Sequence, residues 1–200
     1  VKFSPDRAKL KELEEIGTRF GRQLLRAQKR AQRRNAGGMS ESRSDPAVLA
    51  LGRVIGSLCV LTTRKGELSG AMVASWVSQA SFTPPGLTVA VAKDRAVEAL
   101  LQKGDRFALN VLADGRESAL MKQFLQPFDP GADRFAGLEL ESSPSEQPLL
   151  PEALAWLEGE VKQRMECGDH WLLYAQVNQG GLFDKEGTTA VHHRRSGANY

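Results

Sequence analysis

The sequence predicts a mainly β protein with a few helices, in which the strands close into an antiparallel barrel and an amphipathic helix precedes them. Apolar segments of strand length follow one another through residues 47–200, and only two short helical patterns interrupt them. Strands and helices do not alternate regularly, which disfavours a parallel sheet. The excess of strands therefore decides the fold class.

Size and composition allow one domain with an appendage. Of the 200 residues, 41% are hydrophobic, and no uncharged apolar run reaches the roughly 18 residues that a membrane-spanning helix needs. The chain starts with Val1 and shows no basic and hydrophobic leader, so we expect it to be cut from a longer protein. Cys59 and Cys167 are far apart and form no C-x-x-C pattern, which favours a reducing, cytoplasmic location.

The basic charge is confined to the first part of the chain. Residues 1–38 contain 11 lysines and arginines against 4 acids, whereas residues 39–200 contain 16 against 20. The high pI therefore says little about the ligand of the main domain. A nucleic-acid contact or localisation patch at residues 28–34 is a rival interpretation, but no aromatic residues are interleaved with these cations and no DNA-binding motif accompanies them.

The first 34 residues are predicted to form the end of a strand and an amphipathic helix. Ser4, Pro5 and Asp6 supply a capping hydroxyl, a proline at the first helical position and an acid in the first turn. Apolar residues follow at spacings of three and four: Leu10, Leu13, Ile16, Phe20, Leu24 and Ala27. This stripe must pack on the main domain, on a second chain or on a neighbouring domain. Residues 35–46 have the composition of a linker.

The main domain is predicted to alternate strands with short helices. Its first elements are a helix at 47–51, a β-rich run at 54–63, a polar turn at 64–67, strands at 72–82 and 87–92, a helix at 96–103, a strand at 107–113 and a helix at 117–125. The last of these helices is expected to turn four side chains inward, those of Leu120, Met121, Phe124 and Leu125.

The second half of the domain is predicted to begin with a long, proline-rich segment at 127–151, with one short element near 135–140. A segment this irregular is often functional or a partner contact. Paired strands follow at 154–164 and 170–177, and a final strand at 188–193.

The candidate site is the stretch from residue 70 to residue 95. Small and hydroxyl residues are mixed with large apolar ones in the strand at 72–82, so a planar ligand has access to the backbone there. Lys93 and Arg95 precede a predicted helix, and the free N–H groups of a helix start together with two cations offer a place for a phosphate. A plain hairpin with a solvated basic turn is the alternative. No G-x-G-x-x-G or P-loop motif is present, which disfavours an ordinary nicotinamide-binding fold, and no H-E-x-x-H zinc motif is present either.

This stretch resembles the flavin reductase-like family, a split β-barrel that holds FMN. The likeness extends over residues 47–200 through an ordered set of further segments at 104–112, 132–137, 168–170 and 191–194. Residues 70–82 are most similar to the version at the C-terminus of the flavodiiron proteins of oxygenic phototrophs. Residues 1–34 resemble the last strand and helix of the flavodoxin-like domain of those proteins. The resemblance thus divides the chain into the tail of a truncated domain at 1–34, a linker at 35–46 and a flavin reductase-like domain at 47–200.

The resemblance implies roles for individual residues. It assigns the wall against the flavin to residues in and near the first strand of the stretch: Ser57, Ser69, Gly70, Val73, Ala74, Ser75 and Trp76. Lys93 and Arg95 would hold the FMN phosphate. His170 would line the place where nicotinamide stacks on the flavin and act as the catalytic residue, and His193 and Arg194 would attract the phosphates of the dinucleotide. Relatives usually carry a hydroxyl where Val73 and Ala96 stand, so a phosphate donor is missing at position 96.

The implied function is that of an NAD(P)H:flavin oxidoreductase. It would transfer a hydride from NADH or NADPH to bound FMN, with FAD as an alternative, and supply electrons for reduction of O2 to water at the di-iron centre of the full-length flavodiiron protein. The resemblance also implies a dimer. From the residues themselves we expect no nucleic-acid partner and no membrane span.

Three alternatives remain at this stage. The barrel could be a flavin-free scaffold for subunit assembly, or a stand-alone reductase that releases reduced flavin. A metal site is a third, because the side chains of Cys167, His170, His192 and His193 are suitable ligands. Their spacing is unusual for zinc, however, and adjacent residues on a strand point to opposite faces. We therefore expect no metal.

Overall fold

The computed structural model of the chain describes residues 7, 9–11, 13–18, 21, 45–126 and 133–198. All described positions among residues 7–21 are helical, as the apolar spacing predicts. Ile16 is buried, whereas Leu10 and Leu13 are about half exposed. The remaining features predicted for this region lie outside the described residues, including the helix start at Ser4, the rest of the apolar stripe and most of the linker.

The described part of the main domain contains two α-helices, one 3-10 helix and nine strands. Their bounds are α1 Pro46–Leu51, β1 Cys59–Lys65, β2 Leu68–Ala74, β3 Val77–Ser81, β4 Gly86–Ala92, the 3-10 helix Ala96–Leu100, β5 Arg106–Val111, α2 Glu117–Leu125, β6 Glu141–Ser142, β7 Pro148–Leu149, β8 Ala155–Cys167 and β9 His170–Leu182. Seven strands form one antiparallel sheet in the order β2-β1-β5-β8-β9-β4-β3, and β6 pairs with β7.

The sheet closes at one corner. Its two end strands, β2 and β3, are consecutive in the chain and only Ser75 and Trp76 separate them. The two free edges of the sheet must therefore meet at these two residues, which curls the sheet into a split barrel. The mainly antiparallel β architecture predicted from the sequence is confirmed.

The continuous strand predicted at 72–82 is wrong, because it is broken at Ser75 and Trp76. Before the break the chain pairs with β1, and after it the chain pairs with β4. The carbonyl of Ser75 packs against Gly56, where a Cβ atom would lie only 2.1 Å from the carbonyl oxygen. This close approach holds the break in place.

Both faces of β1 and β2 are buried, which gives the domain two apolar clusters. The first fills the barrel and includes Leu61, Ala74 and Phe107. The second lies outside the barrel wall, where Val73 and Phe124 pack together under α2. The strands β1 and β2 therefore form a wall with no solvated face over most of their length.

Other differences from the predicted elements have local causes. The run at 54–63 becomes a strand only from Cys59, and Val54 and Ile55 are exposed. The helix at 117–125 has the predicted bounds, but Leu125 is exposed rather than turned inward. Residues 134–137 form turns rather than a strand or helix. The final strand at 188–193 is reduced to two isolated bridges, Ser57 to Val191 and Ala113 to Thr189.

One buried carboxylate fixes the loop between β6 and β7. Glu158 is 1% exposed and accepts hydrogen bonds from the hydroxyl of Ser143 and from the backbone N–H of Ser145 at 3.0 Å. Its Oε1 lies 3.6 Å from Nη1 of Arg106. Burial alone would raise the pKa of Glu158, but these hydrogen bonds and the charge of Arg106 together hold it below its usual value.

Among the described residues, no helix combines the length and the apolar character required to cross a bilayer.

Candidate functional site

A cavity of about 530 Å³ lies at the corner where the sheet closes. Its floor consists of small and apolar residues of β3, β4 and β9, namely Val77, Ser78, Thr88, Ala90 and Leu172. Its rim comes from α1, from the loop that follows it and from the C-terminal segment, through Leu51, Val54, Ile55, Gly56, Arg194 and Gly197. Ser75 and Trp76 form the remaining wall. Because Thr88 and Ala90 are short, the sheet surface is open to a flat ligand.

Ser75 supplies a buried polar group to this cavity. The residue is 2% exposed, and its Oγ has no hydrogen-bond partner in the part of the chain that the structure describes. A buried hydroxyl without a partner carries a desolvation cost of about 1–3 kcal/mol. A ligand or a water molecule bound in the cavity would satisfy this hydroxyl.

Trp76 connects the cavity to two of the predicted site residues. Its ring lies 4.8 Å from the ring of His170, centroid to centroid, at an interplanar angle of 41°. The guanidinium carbon of Arg194 lies 5.0 Å from the centroid of Trp76. The structure thus brings Trp76, His170 and Arg194 together, although their positions are far apart in the sequence. His170 contacts Trp76 but does not itself line the cavity.

Arg194 is held in place by the backbone on both sides of it. The C-terminal segment hydrogen-bonds to the start of the domain from His192 N–H to Gly56 at 3.3 Å and from Gly197 N–H to Val48 at 2.7 Å. Nη2 of Arg194 donates to the carbonyl of Val54 at 3.3 Å. His193 is exposed beside it. Burial, with smaller contributions from the charges of Arg194 and His193, lowers the pKa of His192.

His170 has a defined orientation. It begins β9, directly after the turn of Gly168 and Asp169, and Gly168 adopts a positive φ of 57° that favours glycine. Nδ1 of His170 lies 2.7 Å from Oδ1 of Asp169. Because a carboxylate only accepts hydrogen bonds, Nδ1 donates to it and carries the proton.

Lys93 is bound to a neighbouring turn, although the sequence suggests that it acts together with Arg95. The ammonium of Lys93 forms an ion pair with Glu166 and donates to the carbonyl of Gly168 at 2.6 Å. It is thus bound to the β8–β9 turn. Arg95 is exposed at the start of the 3-10 helix and makes no side-chain capping bond there.

A second arginine that the residue-by-residue prediction missed lies near Arg95. Nη1 of Arg134 donates to the carbonyl of Ala71 in β2 at 3.3 Å. Burial, and after it the charge of Arg95, lowers the pKa of Arg134. The segment 132–137 belongs to the family resemblance, so that motif could have drawn attention to Arg134.

The backbone that carries Arg134 is anchored on α2. Gln123 donates from Nε2 to the carbonyl of Arg134 at 3.2 Å. Phe135 is 5% exposed and packs edge-to-face on Phe124, with ring centroids 5.9 Å apart. Two guanidinium groups are therefore delivered to one region by separate, fixed elements.

The other predicted wall residues are distributed along β2 and the strand bridge near it. Val73 packs under α2 and Ala74 faces the barrel interior. Gly70 lies against Val97 of the 3-10 helix, and Ser69 is exposed at the far end of β2. Ser57 is half-buried. Only Ser75 and Trp76 of this predicted wall line the cavity.

The described residues contain no group of three or more His, Cys, Asp or Glu side chains that could hold a metal ion. Cys59 is buried and Cys167 is exposed, and neither forms a disulfide.

An antiparallel split barrel with an apolar cavity at its closing corner defines a cofactor-binding barrel rather than a glycine-rich nucleotide fold. The chain belongs to the flavin reductase like domain family, whose model matches residues 51–199. It is an oxidoreductase domain of this class. The resemblance inferred from the sequence motifs is thereby confirmed.

Relatives and solved structures agree with this assignment. Diflavin flavoprotein A 1 of Synechocystis sp. is 50% identical over 200 residues, which are 100% of this chain and 34% of that protein. A diflavin flavoprotein A 3 of the same organism is 56% identical over 200 residues, again 100% of this chain and 33% of that protein. The chain therefore spans about a third of the length of these relatives.

Among solved structures, the NADH:FAD oxidoreductase SgcE6 of Streptomyces globisporus superposes with a TM-score of 0.66 at 25% identity, over 76% of this chain and 87% of that one. The styrene monooxygenase flavin reductase of Pseudomonas putida shares the fold, with a TM-score of 0.60 at 23% identity, over 72% of this chain and 90% of that one.

Proposed function

We propose that this chain is an NAD(P)H:flavin oxidoreductase module that binds FMN at the closing corner of the barrel and takes a hydride from NADH or NADPH. The observation that carries the proposal is the buried, unpaired hydroxyl of Ser75 in an apolar cavity next to Trp76. SgcE6, a structural neighbour, is an NADH:FAD oxidoreductase, which supports the same class of reaction for this chain.

The cavity suits the ring system of a flavin in size and chemistry. Its volume of about 530 Å³ falls within the range of small-molecule sites. Its lining is mostly apolar, and its polar groups include the Ser75 hydroxyl and the guanidinium of Arg194. Backbone groups of Val73, Ala74 and Ser75 would bond the polar edge of the ring.

The phosphate of FMN would lie farther along β2, near Arg95 and Arg134. Ala71, whose carbonyl accepts from Arg134, precedes Ser75 by four residues, which is about 13 Å along a strand. Arginine binds phosphate through paired N–H donors. Because burial and Arg95 both make the charge of Arg134 more costly, an anion beside the two groups would relieve that cost.

When bound, the flavin would supply the redox chemistry, since it accepts a hydride from reduced nicotinamide. The chain's own residues position the reactants and exclude water. Trp76 and His170 would shape the donor side, with His170 donating through Nδ1 to Asp169 and its ring in contact with Trp76. Arg194 and His193 would attract the phosphates of the dinucleotide.

The chain also fits a role within a longer electron-transfer protein. It spans about a third of the diflavin flavoproteins that it resembles. We propose that it passes electrons to flavodoxin-like and di-iron domains of the full-length flavodiiron protein, where O2 is reduced to water. Residues 1–34 would be the tail of the flavodoxin-like domain. We also propose that the protein is a homo-oligomer and that it works in the cytoplasm. The free thiols of Cys59 and Cys167 agree with a reducing compartment.

The test is titration of the chain with FMN, followed by anaerobic stopped-flow reduction with NADH and with NADPH. We expect flavin fluorescence to be quenched on binding and the bound flavin to be bleached by at least one donor. Ser75→Ala should weaken FMN binding about 3- to 10-fold, the equivalent of one neutral hydrogen bond, without lowering the stability of the ligand-free protein. Absence of any flavin binding would leave a flavin-free assembly barrel as the function and refute the proposal.

A further inference from the structure

Lys93 follows the last residue of β4 and faces the turn that joins β8 to β9. Ala92 pairs with His170 in the register of β4 and β9. The backbone N–H of Lys93 donates to the carbonyl of Asp169 at 3.0 Å. Lys93 is therefore adjacent to the residues that precede His170.

The side chain of Lys93 folds onto the same turn. Its Nζ donates to the carbonyl of Gly168 at 2.6 Å and forms an ion pair with Glu166 on β8. The hydrogen bond from Lys93, followed by its charge, lowers the pKa of the Glu166 carboxyl. Only 19% of the Lys93 side chain is exposed, so this cation is not a solvated one.

The turn is held from a second side through Trp171. The ammonium of Lys93 lies 5.0 Å from the centroid of the Trp171 ring, and the guanidinium carbon of Arg164 lies 4.5 Å from it. Arg164 in turn forms an ion pair with Glu98, which is 6% exposed. Lys93, Trp171 and Arg164 thus fix the start of β9, the strand that His170 begins.

We propose, on the basis of the function proposed above, that Lys93 is a positioning residue for His170 rather than a ligand of the FMN phosphate. Two of the three ammonium donors are already used on the turn, by Gly168 and Glu166. The turn carries Asp169, whose carboxylate orients the ring of His170 against Trp76. Lys93 acts on hydride transfer only through this chain of contacts.

The variant that separates the two roles is Lys93→Met, which keeps an unbranched apolar side chain and removes the ammonium. We expect FMN and riboflavin to lose affinity by the same factor, less than threefold, because no phosphate contact is removed. The limiting rate of flavin reduction by NADH, in anaerobic stopped flow, should fall at least tenfold, because small misplacements of reacting groups are costly.

The matched control is Lys65→Met. Lys65 is also ion-paired, with Nζ 3.1 Å from Oδ1 of Asp105, but it lies at the opposite end of β1 from Cys59, the residue that pairs with Ala74 beside the cavity. This variant should leave the reduction rate unchanged.

Two further measurements address the route through His170. In a double-mutant cycle with His170→Ala, Lys93→Met should have less than a twofold additional effect on the rate, because its partner is already absent. Histidine ring NMR of the ligand-free chain should show a shift of the His170 resonances in Lys93→Met and, to a smaller extent, in Glu166→Gln. The second variant leaves the lysine in place and covers the case in which the first does not fold.

Each outcome bears on one proposal or the other. Selective loss of FMN affinity with riboflavin unaffected, additive rate effects in the cycle, or unchanged His170 resonances would each overturn the positioning role. If the wild-type chain binds no flavin or is reduced by neither donor, the proposed function fails, and the NMR measurement still decides whether Lys93 positions His170.

Discussion

Removal of Arg134 should weaken FMN binding without weakening riboflavin binding. Arg134 is carried by a segment anchored to α2 and lies against Ala71 of β2, near Arg95. A hydrogen bond to a charged group contributes about 1.5–3 kcal/mol. Since about 1.4 kcal/mol corresponds to tenfold in affinity, Arg134→Met should raise the Kd of FMN by about 10- to 150-fold. Riboflavin has the same ring and ribityl chain but no phosphate, so its Kd should stay within twofold of wild type.

The assay is fluorescence titration with both ligands at two salt concentrations. The FMN affinity of the wild type should fall as salt rises, and that of Arg134→Met should fall less, because one screened charge is gone. Arg116→Met is the control, because Arg116 forms its ion pair with Asp184 rather than a hydrogen bond to β2. Equal losses of FMN and riboflavin affinity in Arg134→Met would refute the phosphate assignment.

Three further predictions concern the corner, the buried acid and the thiols. Gly56→Ala should abolish flavin binding and lower the free energy of unfolding, measured in urea, by more than about 1 kcal/mol, because the new Cβ would lie 2.1 Å from the carbonyl oxygen of Ser75. Wild-type flavin binding and stability in this variant would contradict the close contact. Glu158→Gln should lower the free energy of unfolding at pH 7. The difference from wild type should shrink as the pH falls through the lowered pKa of Glu158, because the wild type loses the stabilising contribution of the ionised carboxylate on protonation. A difference that does not depend on pH would contradict this prediction. Burial raises the pKa of Cys59 to about 12, so a thiol reagent should label Cys167 alone in the native chain and both cysteines after denaturation.

The sequence predicted those elements whose cause is local. The helix at 117–125 has the expected bounds because Leu120 and Phe124 are four residues apart and both are buried. Likewise, the paired strands around residues 167–170 follow from a Gly-Asp turn between two apolar runs. In both cases neighbouring residues contain the information.

The break at Ser75 and Trp76 could not be predicted in the same way. Residues 72–82 have the composition of one strand, and the chain changes partner there because the two sheet edges meet and Gly56 packs on the Ser75 carbonyl. Val54 and Ile55 illustrate the reverse case. They are apolar and β-branched, yet they form the exposed rim of a cavity that exists only in three dimensions.

The cations of the candidate site show the same limit. Lys93 and Arg95 are close in sequence, but a strand end and a 3-10 helix start direct them to different neighbours. Arg134 is 39 positions beyond Arg95 and reaches the same region only because Phe135 packs on α2. The motifs draw attention to these residues, whereas the grouping of their side chains depends on tertiary contacts.

The end strands β2 and β3 each have one margin without a neighbouring strand in the sheet, and two residues join them. A molecule bound at this junction can hold the barrel closed. A ligand that touches Ser75, which directly follows β2, and Val77 and Ser78 of β3 would bridge both margins at once. Any molecule that binds only the closed form adds its binding free energy to that form. Amide exchange in β2 and β3 should therefore slow on loading more than exchange in β5 or β8, which have hydrogen-bonded neighbours on both sides.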